Sequence, residues 1–269
     1  MPHIILVTIA HDLYCQWNVQ LKQLQRLLPT SPVSITTHHG SVEALFETTP
    51  PPHLQQPRRT AVVCPANSLL YMGGGFDRGV LEALKPAGQL YKELERYVQG
   101  QGNYRFRGYI PVHTVETVET AAARNDRRAY TQWNVDSLIL APLMVVPEPI
   151  DVSRAKSVIV DSMWNVLVHC QDQWDVVVVP GIGGGYGGID HATIARLQVA
   201  TLAIYYLDVL PLQRALLMLF LLGKDYRKYG GVDTEEMDTY VTDHGRHVDP
   251  AADRSLADIL NCVSLDPLH

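Results

Sequence analysis

The chain has 269 residues, of which 46% are hydrophobic and 19% charged, with a formal net charge of −6. That length suits one large domain or two small ones, and the acidic balance implies no basic face for duplex DNA or RNA. Four widely spaced cysteines (Cys15, Cys64, Cys170, Cys262) form no CxxC or Cys/His cluster, which fits reduced thiols inside a cell.

In chain order, "IILVTI" (4–9) predicts a buried first strand and not a signal peptide, because no basic segment precedes it. "CQWNVQLKQLQRLL" places Trp17, Leu21, Leu24 and Leu28 on one helical face. "VSITTH" (33–38) predicts a strand and "GSVEALFE" a short helix, before a proline-rich connection over 48–57. "TAVVC" (60–64) reads as a short, fully buried strand, followed by helical segments near 78 to 99. "GQGNYRFRG" (100–108) reads as a turn-rich excursion, "YIPVHTVET" as a strand, and "SLILAPLMVV" (137–146) as a stronger one ended by "PEP". Residues 152–170 have clean helical periodicity, "WDVVVVP" (174–180) is a buried strand, and "ATIARLQVATLAIYYL" is a long helix. The longest apolar run, "ALLMLFLLG", is short of the roughly 20 residues that span a bilayer. The last 45 residues are more polar and read as a helical appendage or a partly mobile segment, with "DTEEMD" as a solvated face.

Strands alternating with helices, several of them apolar throughout, imply one α/β domain in three layers. The expected unit is residues 1–269, with a core over about 3–225 and an extension over 226–269. A soluble protein of the cytoplasm or nucleus is expected, with no membrane or nucleic-acid partner.

Two of the best strands each run into a glycine-rich loop and then a helix: "VVCPANSLLYMGGGFDRGV" (62–80) and "VVVVPGIGGGYGGIDH" (176–191). Glycine lets backbone N–H groups approach an anion, and the following helix adds the positive end of its dipole. Open α/β sheets bind ligands at the carboxyl ends of their strands, so the pair points to a diphosphate-containing ligand held between the loops. Glycines also serve tight turns and close packing, and that alternative stands for either loop alone. Gly183, Gly185 and Gly188 spell GxGxxG with Asp208 downstream, which keeps an NAD(P)-dependent oxidoreductase in view. However, Asp208 ends a helical run and too little α/β pattern follows. Neither loop closes in Gly-Lys-Ser/Thr, so a P-loop is excluded.

Asp77 at the start of a helix is either a capping carboxylate or a functional one, and Asn67 is either a turn former or a ligand contact. Cys64 ends a buried strand and reads as a small core residue more readily than as a thiolate. His38 and His39 sit on a strand expected to end beside the first loop, as surface or supporting residues. "HGRH" (244–247) lacks a local third ligand, so no metal is assigned, and no cofactor either. Trp133 and Trp164 read as core or half-buried.

The first loop resembles the first ligand loop of macro domains, whose pattern is an apolar strand, Asn-Ala-Ala-Asn, Gly-Gly-Gly, Val-Asp and a helix. Here Cys64-Pro65-Ala66-Asn67, Gly73-Gly74-Gly75 and Phe76-Asp77 fill those positions. "VVVVPGIGGGYGGI" is similar to the second macro loop, with Ile182 to Gly188 matching in register. "HHG" (38–40), "GGGFD" and "MWN" (163–165) are nearest to a fungal macro-domain group of ADP-ribose 1″-phosphate phosphatase-like proteins.

The resemblance implies a mixed-sheet α/β/α sandwich that binds ADP-ribose or a derivative, including an ADP-ribosylated protein. It implies that Asn67 holds the distal ribose. Gly73, Gly74, Gly75, Gly183, Gly184 and Gly185 would offer amides to the diphosphate and ribose, with Phe76, Pro180, Gly181, Ile182 and Tyr186 lining the site. It further implies that Asp77 directs a water at the substituent of the distal ribose, in a phosphatase or ADP-ribosylhydrolase reaction. The chain departs from the family at the base end: where an Asp reads the adenine amino group, this sequence has Gly40-Ser41-Val42, leaving Ser41, Val42 or another acid such as Asp12. It also has Gly183-Gly184 in place of Ser-Thr, and Tyr186 one residue before the usual aromatic position at Gly187. The equipped first loop favours a hydrolase; the stripped second loop favours a non-catalytic reader.

Overall fold

Alternate residues of the central strands face opposite layers of helix. In a computed structural model describing residues 1–29, 34–54, 57–171, 173–229, 233–242 and 254–265, the chain runs in order through sixteen elements. They are β1 (His3–Thr8), α1 (His11–Leu27), β2 (Ile35–His39), α2 (Val42–Glu47), β3 (Thr60–Cys64), α3 (Gly75–Leu84), α4 (Tyr91–Phe106) and β4 (Glu116–Glu119). There follow α5 (Arg128–Thr131), β5 (Val135–Leu140), α6 (Val152–Cys170), β6 (Val176–Pro180), α7 (His191–Tyr206), α8 (Pro211–Leu221), α9 (Asp233–Tyr240) and α10 (Leu256–Leu260). Ile4, Leu6, Val63, Val177 and Val179 pack on one side with α1, α6, α7 and α8. Ile5, Val7, Val62, Val176 and Val178 pack on the other with α2, α3, α4 and α5. Strands buried on both faces have no polar alternation, which is why they read as continuous apolar runs. The expected three-layer α/β/α architecture is what forms.

The sheet order is β2-β1-β6-β3-β5-β4. The first five strands pair in parallel, and β4 closes the edge antiparallel to β5. Its Glu116 and Glu119 meet Arg105 and Arg59 at 3.1 and 3.3 Å, and such charges discourage edge-to-edge pairing. Insertion of β6 between β1 and β3 sets the two glycine loops side by side at the carboxyl end of the sheet.

Three local expectations change. Residues 100–106 continue α4 and do not turn. Gly102 is a packing glycine, since a Cβ there would stand 2.7 Å from Leu70 Cδ1 and 2.8 Å from Leu140 Cδ1. The strand expected over 109–117 begins only at Glu116, because His113 sits at φ +64° and breaks extended geometry. β5 stops at Leu140, ahead of Pro142, not at "PEP". The chain then follows the first glycine loop as an irregular parallel pair, with Leu143 N–H donating to Ala66 O and Ser68 N–H to Met144 O, both at 3.0 Å.

The C-terminal segment is no loose appendage where it is described. Met237, Tyr240, Leu256 and Ile259 join the hydrophobic core, and Gln213 Nε2 donates to Ser264 O at 2.8 Å. Glu235, Glu236 and Asp238 keep the solvated face expected of α9. "HGRH" lies outside the described residues. Trp133 is buried and Trp164 half-buried, as read. All four cysteines are free, and only Cys15 is exposed. Among the described residues no helix is long and apolar enough to cross a membrane.

Candidate functional site

The first loop leaves β3, all five residues of which are buried, at Pro65. Asn67 then ties the turn to itself. Its Oδ1 accepts from Leu69 N–H at 3.1 Å and Tyr71 N–H at 3.3 Å, while its Nδ2 donates to Tyr71 O at 2.8 Å. Those bonds span Leu70, buried at φ +57°, a left-handed conformation that costs a branched residue about 1–2 kcal/mol. Helix α4 pins the loop from behind. Glu95 accepts from Met72 N–H at 2.7 Å, and Gln99 Nε2 donates to Leu70 O at 3.1 Å. Asn67 is therefore a turn former in this structure, with one Nδ2 proton left for another partner.

The three glycines carry the chain from this turn into α3. Gly73 is exposed, Gly74 is the N-cap, and Gly75 adopts φ +55°. Asp77 is the third residue of the helix, in its first turn, and the N-cap Gly74 has no side chain to cap with. Its Oδ1 is sealed from solvent and has no hydrogen-bond partner. Burial raises its carboxyl from the ordinary 3.8 to about 7. Cys64 lies behind it, buried, with its thiol pushed up by desolvation first and by Asp77 second. Both effects disfavour a thiolate, and Cys64 is the buried core residue it was read to be.

The second loop leaves β6 at Pro180, whose carbonyl accepts from Gln198 Nε2 of α7 at 3.0 Å. Several of its glycines answer to packing. A Cβ on Gly181 would stand 2.5 Å from Leu13 Cδ2, and one on Gly187 would stand 2.6 Å from the Gly183 carbonyl oxygen. The latter explains why no aromatic residue occupies Gly187. Tyr186, one residue earlier, is 63% exposed and lies over Gly74 of the first loop.

Between the loops lies a cavity of about 290 Å³ lined by Asn67, Gly73, Gly74, Gly75, Phe76 and Asp77 on one side. Pro180, Gly181, Gly183, Gly185 and Tyr186 form the other. It adjoins a second cavity of about 870 Å³, which shares Gly75, Phe76, Pro180, Gly181 and Gly185 with it and reaches Gly184, Ser41 and Val42. One cleft thus crosses the carboxyl ends of β1, β6 and β3, where parallel sheets bind ligands. Of the residues expected there, Ile182 is the exception. It is 1% exposed, packs into the core and lines neither cavity. The Ser41 hydroxyl caps α2, accepting from Ala44 N–H at 3.1 Å.

His38 and His39 are not beside the first loop, because β1 and β6 separate their strand from β3. His39 stacks on Tyr14 at 5.1 Å. Burial first, and His39 second, lower the pKa of His38. Asp12 does not line the cleft directly. It holds His191, whose Nδ1 is 3.0 Å from Asp12 Oδ2 and whose ring borders the larger cavity. Residues not anticipated are Leu143, Met144 and Pro147 at the smaller cavity and Glu43, Glu82, Arg78 and His191 at the larger. Their signal is tertiary, since β5 supplies the first group through its irregular extension and α2, α3 and α7 supply the second.

The sequence pattern of the Macro-like domain family matches residues 6–239. The chain belongs to that family. Among solved structures it is similar to a macrodomain of Oceanobacillus iheyensis, seen in two variants. One of them, with ADPR, is 18% identical over 53% of this chain and 68% of that one, at a TM-score of 0.41. The other is 19% identical over 55% and 67%, at 0.42. The macrodomain of Mycobacterium tuberculosis DarG is 18% identical over 54% of this chain and 82% of its own, at 0.39. In this macro-like domain the cleft lies between the two loops on which the family resemblance was read.

Proposed function

We propose that this macro-like domain binds ADP-ribose along the cleft and hydrolyses a derivative of it at the substituent on the distal ribose. The base end occupies the larger cavity, the diphosphate passes the shared glycines, and the distal ribose enters the smaller cavity beside Asn67 and Asp77. The observation that carries the reading is Asp77 itself: a carboxyl oxygen without a partner, out of solvent, on the wall of that cavity, titrating at about 7. Burying an unsatisfied carboxyl destabilises a fold, and groups perturbed in this way gather at functional sites. With a pKa near neutrality, Asp77 is suited to take a proton from water and return it to a leaving oxygen, a role typically worth 10²–10⁴ in rate. The nearest resemblance makes ADP-ribose 1″-phosphate one candidate substrate and ADP-ribosyl conjugates the other.

A reader without turnover is the second reading. It is favoured by Asn67, whose amide oxygen and one Nδ2 proton serve its own loop, and by the absence of hydroxyls at Gly183 and Gly184. Calorimetry with ADP-ribose, then a turnover assay on a panel of derivatives with wild type and Asp77→Asn, separates the two. Binding by both proteins with turnover only in wild type supports the hydrolase. Binding without any turnover leaves the reader, and no binding removes both.

A further inference from the structure

We propose that His113 is a positioning residue for the cleft: it ties the wall of the smaller cavity to α6, and ligand affinity depends on that tie. The inference rests on the reading of the cleft as an ADP-ribose site and adds to it a residue that lines neither cavity.

The need for a tie follows from where the strands end. β4 covers the outer edge of β5 only as far as the pair of Glu116 and Leu140. The cavity wall is built from what lies beyond: Ala66, Asn67, Leu143 and Met144 line it. On the inner side Leu143 N–H donates to Ala66 O and Ser68 N–H to Met144 O. On the outer side, among the described residues, no strand flanks this extension. The chain ahead of β4 takes a strand's place there. His113 N–H donates to Pro142 O at 2.8 Å, and Ile110 N–H donates to Ser68 O at 3.0 Å.

His113 is itself anchored from behind. It adopts φ +64°, a left-handed conformation that outside glycine falls chiefly to Asn, Asp and His. Its carbonyl accepts from Asn165 Nδ2 at 2.9 Å, and its ring Nδ1 shares a hydrogen bond with Ser162 Oγ at 3.0 Å. Ser162 and Asn165 are three residues apart on α6 and so lie on one side of it. Ser162 is fully buried, on a helix face that also carries Val158, Ile159 and Val166. A hydroxyl there is costly unless it is bonded, and His113 supplies that bond. The pair is not a nucleophile with its base, because Ser162 is sealed from solvent and lines neither cavity. Its work is geometric. The helix holds the ring, and the backbone N–H of the same residue holds Pro142, so Leu143 and Met144 keep their place against the first glycine loop. Binding sites keep their affinity when the groups behind the contact residues are held in advance.

Calorimetry with ADP-ribose, paired with amide hydrogen exchange on the full chain, tests this in a set of variants. His113→Gly keeps the left-handed backbone and removes the ring. Ser162→Ala keeps the ring and removes its partner. Either should weaken ADP-ribose binding roughly tenfold, the order expected for one lost positioning hydrogen bond. Either should also speed exchange at the amides of Ser68 and Leu143, while Val178 and Val179 in β6 keep their protection. The double variant should lose no more than either single one, because both remove the same bond. His113→Asn suits the same backbone and offers a side-chain amide near the place of Nδ1, so it should restore binding and protection. Wild-type affinity in both His113→Gly and Ser162→Ala overturns the inference. So does weakened binding with Ser68 and Leu143 still protected, or a His113→Asn variant as weak as His113→Gly. Loss of protection in β6 as well, in both single variants, marks a residue that only stabilises the fold and overturns it too. Failure of the wild type to bind ADP-ribose is a different result: it removes the reading of the cleft and the affinity claim with it, while exchange still reports whether His113 holds the wall.

Discussion

The Tyr186 hydroxyl lies 2.9 Å from the point where a Cβ on Gly74 would stand, so the two glycine loops touch across the cleft. Gly74 has φ −145°, which any residue adopts, so its lack of a side chain answers to Tyr186 and not to the backbone. Tyr186 meets it with the far end of an exposed side chain, which can swing away at little cost. Gly74→Ala should therefore leave stability within about 0.5 kcal/mol of wild type, as surface substitutions usually do. Its effect should fall on ADP-ribose affinity. Calorimetry on Gly74→Ala and on Gly74→Ala/Tyr186→Ala checks this: if the displaced ring is what blocks the cleft, removing it restores binding.

Gly187 gives the opposite expectation. A Cβ there meets a backbone carbonyl at 2.6 Å and Ile150 Cδ1 at 2.8 Å. The carbonyl cannot swing aside, because Gly183 is held by Ile189 N–H donating to that same oxygen at 3.1 Å. Gly187→Ala should lose about 1–3 kcal/mol, the usual range for overpacking a fixed site. Urea unfolding measures it, and an unchanged midpoint would show that the loop relaxes more freely than this geometry allows.

How much of this was legible beforehand depended on whether the cause was local. The run Val176–Pro180 is apolar because both faces are covered, and its ends were read to within two residues. Val152–Cys170 was legible in full, since its periodicity reports a single buried face. Strand order was not legible. Nothing in "VVVVP" says that it lies between β1 and β3, so His38 and His39 were placed beside a loop from which two strands, β1 and β6, separate them. Gly102 was misread because a packing glycine and a turn glycine look alike until Leu70 and Leu140 are seen against it. At the site, the motif singled out Asp77, which lines the cavity, while Glu95, Gln99 and Met144, which shape the loop around it, carry no pattern of their own.

Asn67 separates a loop-forming role from a ligand-binding one. Asn67→Ala removes three hydrogen bonds to Leu69 and Tyr71, and leaves backbone groups near Leu70 unpaired. A loss of about 1–3 kcal/mol is expected, with weaker ADP-ribose binding because Tyr71 and Gly73 follow the turn. Hydrogen exchange at the amides of Leu69 and Tyr71 reads the loop directly. Weaker binding with those amides still protected would place the missing contact on the ligand, through the remaining Nδ2 proton.

Asp77 makes the last prediction, and its sign follows from the direction of the shift. Its carboxyl is raised from 3.8 to about 7 by burial. Below about pH 4 both folded and unfolded chains hold the proton. Between about pH 4 and 7 the unfolded chain releases it while the folded chain keeps it, so this residue's contribution to stability falls as pH rises. Above about pH 7 the folded protein carries a buried carboxylate and the penalty is complete. Asp77→Asn should therefore gain stability relative to wild type across that window, with a slope of at most about 1.4 kcal/mol per pH unit. Activity should run the other way: kcat/KM should climb to a plateau through an apparent pKa near 7 as the base form appears, and Asp77→Asn should lose that limb. Denaturant unfolding at pH 4 and pH 8, paired with a pH–rate profile on the preferred substrate, tests both halves. A variant whose stability relative to wild type is the same at both pH values would mean that Asp77 is ionised in the folded protein at ordinary acidity and is no neutral-pH base.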